Sequence, residues 1–323
     1  MTIEILKLKK GTVYRAAFCK NGKRVRKCFD RKWDAQKWLE QQEQLHRFGF
    51  KQRLLFSEAA KLWLENHSEI RKSPSAYVAD QKMIRSFDPD FSNYPLEEIT
   101  PEMVERHISK KLKGGSKPST VNRYLQCLRA ILNYFIKKRY LIVNAVSIVG
   151  LLPETETHYD YLSFEEADHF LNYTCRKYIE KKRWVYRLYL LAMNTGMRWG
   201  EITGLKWDKI DFYQKTIIVA RSYCSVSKQI RETTKGRKIR YVGINSSLLP
   251  ELKKQFEDSD HAQNLVFPLN QKVIDLHNFK RDHFEKDLKE AELRLIRFHD
   301  LRHTFASHFM MKGGNLYDLQ KPH

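Results

Sequence analysis

The chain has 323 residues, enough for two or three separate cores, and 42% of them are hydrophobic, which excludes disorder as its default state. Its 59 Lys and Arg against 38 Asp and Glu leave a net charge of +21, an excess that calls for a polyanion such as nucleic acid or an anionic membrane surface. The longest apolar run, residues 140–152, is broken by Asn144 and too short for a bilayer, and the first residues open no signal-peptide apolar stretch. Nucleic acid is therefore the expected partner, and a membrane is not.

Five scattered cysteines, Cys19, Cys28, Cys127, Cys175 and Cys224, form no C-x-x-C pair, so neither a disulfide framework nor a structural zinc is expected and a reducing cytoplasm fits. Walker A and dinucleotide glycine patterns are missing from the sequence.

Residues 1 to about 50 read as a small sheet followed by a helix. Residues 12–18 and 24–29 are strand-like, with Asn21-Gly22 as the hairpin turn. Trp38, Leu39 and Leu45 give the helix a stripe to cover one sheet face, and Gly49 is a plausible stop. The exposed side is dense in cations, Arg15, Lys20, Lys23, Arg24, Arg26 and Lys27, with almost no balancing acid. Such a face is usually a solvated edge, but a two-stranded ribbon also fits a DNA major groove.

From Leu54 to Asn144 the pattern turns helical. Ser57 is the expected cap of a helix holding Ala60, Trp63 and Leu64, while Ser73-Pro74 and Thr100-Pro101 each place an N-cap before a proline at N1. A basic turn over residues 111–118 leads to a helix from Ser119 or Thr120 that buries Leu125, Leu128, Leu132 and Phe135. Lys111, Lys113, Lys117 and Arg123 gather at its start, where the helix N-terminus itself favours phosphate. The region reads as a four-helix DNA-binding module, with an ordinary bundle carrying solvated lysines as the alternative.

Residues 152–157 are short, polar and proline-bearing, and read as a linker. A capping box, Ser163 to Glu166, starts the last region. A buried helix over residues 184–193 runs into Asn194-Thr-Gly-Met-Arg-Trp-Gly-Glu201, where Gly196 allows a sharp turn that leaves Arg198 at the mouth of a new helix. Strands are expected over residues 215–221 and after a basic turn with Lys235 near its tip, and helices over 246–256 and 278–294.

Near the C-terminus, Phe298, Leu301 and Phe305 are spaced to face a core, while His299, Arg302 and His303 fall on another face of the same helix. Three readings compete here. A packed His/Arg pair is the commonest use of such residues. His299-Asp-Leu-Arg-His303 imitates the H-E-x-x-H zinc signature, but Arg302 would put a fixed charge beside the metal and Asp is shorter than Glu. Together with Arg198 and Lys235, the stretch can instead form a metal-free phosphate clamp, in which two arginines fork onto one phosphodiester, a lysine protonates the leaving oxygen and a histidine moves a proton.

That ordered set resembles the tyrosine recombinases, the phage integrase family. The resemblance lies in residues 194–202, 205–211, 235–242 and 299–304; H-D-L-R-H-T and T-G-x-R-x-G-E are its most specific strings. Residues 119–125 resemble the family's core-site DNA-binding helix, and the N-terminal hairpin plus helix its arm-type domain. The resemblance implies a mainly α fold with small β-sheets in three domains. These are an arm-type DNA-binding domain over residues 1–52, a helical core-binding domain over 53–150, and a mixed α+β catalytic domain over 158–323.

The same resemblance implies that Arg198 and Arg302 clamp the scissile phosphate of double-stranded DNA, Lys235 is the leaving-group acid, and His299 assists. Catalysis then runs through a 3′-phosphotyrosyl link without cofactor or metal, in a homo-tetramer on attachment sites. The family continues from H-x-x-R through G-x-x-x-x-x-L-Q-x-x-L-G-H to a distant tyrosine, whereas only 323 − 302 = 21 residues follow Arg302 here. Tyr317 comes too early and His323 lacks the preceding L-G, so the expectation is that this chain holds no nucleophile. The alternative function is a non-catalytic DNA-binding protein competing for integrase sites.

Overall fold

A computed structural model describes residues 2–8, 11–20, 23–47, 53–154, 159–232, 239–259, 261, 264–269 and 272–315. The chain divides into two compact units, Met1–Thr155 and Glu156–His323. It is mainly helical with small antiparallel sheets.

The first unit begins with three strands, β1 (Thr2–Leu8), β2 (Gly11–Lys20) and β3 (Lys23–Phe29), in the order β1-β2-β3, followed by α1 (Lys32–Arg47). The sequence reading missed β1, whose alternation slips where Ile5 and Leu6 stand side by side; pairing with β2 holds it. Ala16 and Phe18 face Ala35 and Leu39 of α1, with Trp38 edge-on to Phe18 at 5.6 Å between ring centroids. The side chain of Leu45 and the whole of Gly49, assigned to the stripe and stop of this helix, lie outside what is described.

A helical bundle follows in the same unit. It comprises α2 (Phe56–Trp63), a π-helical turn Leu64–Ser68, α3 (Glu69–Arg71), α4 (Pro74–Phe91), α5 (Pro101–Lys113), α6 (Pro118–Lys137) and the short α7 (Ala145–Val149). Ser73 and Thr100 cap as expected, their hydroxyls accepting from the N–H of Ala76 and Met103. Ser57 does not cap: it lies inside α2, whose N-cap is Leu55, and the carboxylate of Glu58 accepts from the Leu55 N–H at 3.2 Å. Leu125, Leu128, Leu132 and Phe135 are all buried from α6, each contributing about 1.5–3 kcal/mol. Asn122 of α6 pins the chain beyond the bundle, exchanging two hydrogen bonds with the Leu152 backbone at 2.8 and 2.9 Å.

The second unit opens at the Ser163–Glu166 capping box, with both reciprocal bonds present at 3.2 and 2.7 Å. Its elements are α8 (Phe164–Lys177), α9 (Arg183–Thr195), α10 (Trp199–Thr203), β4 (Ile210–Asp211), β5 (Thr216–Val219), β6 (Ser222–Cys224) and β7 (Gln229–Arg231). Then come β8 (Arg240–Gly243), α11 (Leu248–Glu257), β9 (Pro268–Leu269), β10 (Lys272–Val273), α12 (Leu276–Phe279), α13 (Glu285–Glu290) and α14 (Asp300–Met311). Helix α9 is the spine. Val185, Leu188, Tyr189 and Leu191 are fully enclosed, and α8, α11 and α14 all pack on it.

Candidate active site

The site is built on the turn that ends α9. Gly196 adopts φ +58°, and a Cβ there would stand 2.5 Å from the Phe305 ring of α14, so only glycine allows the approach. The same closeness brings the Gly196 carbonyl onto Arg302, whose Nη1 donates to it. One residue type thus docks the C-terminal helix onto the turn that carries Arg198.

Arg198 is the N-cap of α10, and Glu201, three residues on, reaches back to it. The Arg198 backbone N–H donates to Glu201 Oε2 at 2.8 Å and its Nη1 donates to Oε1 at 3.0 Å. From β8, Arg240 forks onto the same carboxylate, at 3.0 Å to Oε1 and 2.6 Å to Oε2. Glu201 is 1% exposed. Burial works to raise its pKa, but the bonds from Arg240 and from the Arg198 backbone, with both positive charges, outweigh it and hold the carboxyl below its ordinary range.

Arg302 is half-buried on α14. Burial lowers its pKa, Arg198 and Arg240 lower it further by repulsion, and Glu201 opposes them. A guanidinium stays charged under such pressure. Two guanidinium groups therefore bond to one carboxylate and a third stands in the same field, leaving an excess of positive charge that an anion would satisfy.

His299 feels the same cations. It is the N-cap of α14, but its backbone is already helical (φ −64°, ψ −24°), so its ring stands beside those of its i+3 and i+4 neighbours as its spacing suggested. Burial, then His303 and Arg302, push its pKa below the usual imidazole value, so at neutral pH the ring is uncharged and able to accept a proton. His303 packs edge-on to His299 at 5.3 Å and faces Tyr159 at 4.5 Å. Asp300, the acid of the zinc-like string, is fully buried and occupied by Arg297, taking its backbone N–H at 2.7 Å and its guanidinium at 2.7–3.2 Å. Among the described residues no group of three or more His, Cys, Asp or Glu side chains is placed to hold a metal.

Of the four residues proposed from sequence, Arg198, His299 and Arg302 interact electrostatically in one cluster. Lys235 lies outside the described residues, as do Tyr317 and His323. Glu201 and Arg240 carried no assigned role in the sequence reading. Glu201 was findable, being the N3 acid of a helix whose mouth holds Arg198. Arg240 was not, because its partner is 39 residues away.

The basic surfaces of the first unit need two corrections. Arg15 is not a free cation: its guanidinium donates to Glu4 at 3.0 and 2.5 Å. Arg26 sits opposite Ala17 on the sheet face of Arg15, but Lys27 sits opposite Ala16, on the face covered by α1, with its ammonium 5.5 Å from the Phe29 ring. Lys111 lies over the Tyr124 ring at 4.7 Å, while Lys113, Lys117 and Arg123 are exposed around the start of α6.

A profile described as the phage integrase family matches residues 160–322, and one described as the phage integrase N-terminal SAM-like domain matches 55–112. The chain is 27% identical over 331 residues to a protein named tyrosine recombinase XerC-like from Caldanaerobacter subterraneus, covering 91% of this chain and 83% of that protein. It is also 27% identical over 316 residues to the integrase of Escherichia phage P2, covering 94% and 81%. Among solved structures, the Tn1549 transposon integrase in complex with transposon right end DNA superposes with a TM-score of 0.72 at 16% identity, covering 83% of this chain and 90% of that one. A lambda integrase tetramer bound to a Holliday junction gives 0.65 at 14%, covering 97% and 93%. At these identities the two structures speak for the fold alone.

Proposed function

The chain belongs to the phage integrase family, the site-specific tyrosine recombinases of phages and mobile elements, and from that premise we propose that its cationic cluster clamps a DNA phosphodiester during transesterification. The observation that carries this reading is the excess of guanidinium groups at the mouth of α10, where Arg198 and Arg240 divide Glu201 and Arg302 stands in the same field.

In this reading Arg198 and Arg302 hold the non-bridging oxygens and stabilise the charge that builds at five-coordinate phosphorus. In the family's reaction a tyrosine oxygen, a role given to none of residues 1–323, attacks phosphorus as the bond to the 5′-oxygen breaks, and Lys235 delivers the proton to that leaving oxygen. His299, neutral at pH 7, assists at the attacking side. The protein supplies the cations of the clamp itself. Residues 1–52, 53–150 and 158–323 act as arm-binding, core-binding and catalytic domains. Arg24 and Arg26 serve the first, and Lys111, Lys113, Lys117 and Arg123 the second. Exchange takes place in a homo-tetramer on two duplexes.

Selection from a random-sequence duplex pool tests the reading. The full chain enriches one duplex, and Arg302→Ala and Arg198→Ala each weaken binding to it on the order of tenfold, with binding to unrelated DNA nearly unchanged. No enriched sequence, or equal losses on all DNA, would count against it.

A further inference from the structure

We propose that Arg240 is a positioning residue for the phosphate clamp, forking onto Glu201 so that this carboxylate holds Arg198 in place without neutralising it. The inference rests on reading the cluster as a phosphodiester clamp. Each Glu201 oxygen accepts one bond from each arginine: Oε1 from Nη1 of Arg198 and Nη1 of Arg240, Oε2 from the Arg198 backbone N–H and Nη2 of Arg240. The carboxylate is thus divided, and only one guanidinium nitrogen of Arg198 is bound to it.

Without Arg240, no other described residue on the strand side of Glu201 bonds to its oxygens. The carboxylate could then turn onto Arg198 as a two-pronged pair, drawing inward the donors meant for phosphate. Placement favours Arg240 for this role. It sits on β8, where its backbone is registered against Val219 of β5, so a sheet rather than a loop sets its position. Its side chain is mostly enclosed, at 21% exposure, whereas that of Arg198 is 39% exposed. Arg240 therefore faces inward to the acid while Arg198 keeps an outer side for a ligand.

The test compares the full chain on its selected duplex with the same duplex carrying a neutral methylphosphonate at each phosphate in turn. The wild-type chain prefers the natural phosphate at one position, and Arg198→Ala reduces that preference. Arg240→Ala reduces it on the order of tenfold, Arg240→Lys restores only part because an ammonium keeps the charge but not the fork, and Arg240→Ala adds no further loss to Arg198→Ala. An undiminished preference in Arg240→Ala, or full restoration by Arg240→Lys, overturns the inference. So does a further loss in the double variant, since Arg240 would then act on phosphate independently. If Arg240→Ala shows no cooperative melt, Arg240→Lys decides alone, a full wild-type preference overturning the proposal. A wild-type chain with no preference at any phosphate removes the clamp reading itself, whereas a preference sensitive to Arg198 but not Arg240 removes only the role of Arg240.

Discussion

Asp287 and Glu201 are both enclosed carboxylates of the second unit, and their partners differ in kind. Asp287 accepts from the hydroxyls of Tyr178 at 2.9 and 3.1 Å and Tyr189 at 2.6 Å, and from Lys177 at 2.8 Å. Lys177 also binds Glu290, so the ion pairs of that corner set one ammonium against two carboxylates. Glu201 is shared by Arg198 and Arg240 and lies in the field of Arg302. The first acid ties helices α8, α9 and α13 together through two tyrosine hydroxyls and one ammonium. The second organises charges that it does not cancel. Burial of an acid alone therefore says little about function; the sign of the charge left over around it says more.

The contrast breaks if the two corners respond alike to perturbation. The largest effect belongs to Asp287→Ala, which strands Lys177 and two buried hydroxyls. It should cost roughly 3–5 kcal/mol and lower Tm on the order of 10 °C in thermal melts, while the protein that remains folded binds DNA as before. A folded variant with lost DNA affinity would place Asp287 in the site.

Next is Gly196→Ala, which forces an L residue to φ +58° and pushes a methyl into Phe305. About 1–3 kcal/mol should be lost in urea denaturation, together with phosphate preference, because the same turn aims Arg198 and receives Arg302. Stability loss without any change in preference would separate the turn from the clamp.

The pH response of His299 sharpens the contrast further. Its folded pKa is depressed by burial, then by His303 and Arg302, so on acidification the unfolded chain takes up the proton first. This contribution to stability is constant above about pH 6.5 and falls as the pH drops through that value towards the folded midpoint. The NMR titration of His299 should have its midpoint below that of a free histidine, rising when DNA phosphate offsets the arginines. A normal midpoint in the free protein would deny the charge excess.

The smallest effects lie in the first unit. Lys113→Ala, Lys117→Ala and Arg123→Ala should each leave stability within about 0.5 kcal/mol. Each should flatten the salt dependence of DNA binding by about one unit of slope, with little change in sequence preference; an unchanged slope would mean a solvated lysine.

Much of the fold was legible because its signals are local. Ser73, Thr100 and the Ser163–Glu166 box announce helix starts within a few residues, and the stripe from Leu125 to Phe135 announces the buried face of α6. The misses share a cause. Ser57 carries a cap residue's chemistry, but Glu58 already serves the N–H of Leu55. Strand β1 is held by its pairing to β2 more than by its own alternation. At the site, Arg198, His299 and Arg302 could be named from their residue types and spacing, whereas Arg240 could not, since nothing near it in the chain marks it off from the other basic residues that precede it.

The sequence by itself determined the order and kind of most helices, the glycine that a tight turn required, and the large excess of cations. Only the tertiary structure decided which cations remain uncancelled. Arg15 is paired with Glu4, and Arg187 is buried against Glu251 and Asp258, yet the cluster of Arg198, Arg240 and Arg302 has Glu201 alone among the described acids that bond to it. The physical reason is range. Caps, turns and helical stripes are settled between neighbours in the chain, while neutralisation depends on groups brought within a few ångströms by folding, and no local pattern records which carboxylate will arrive.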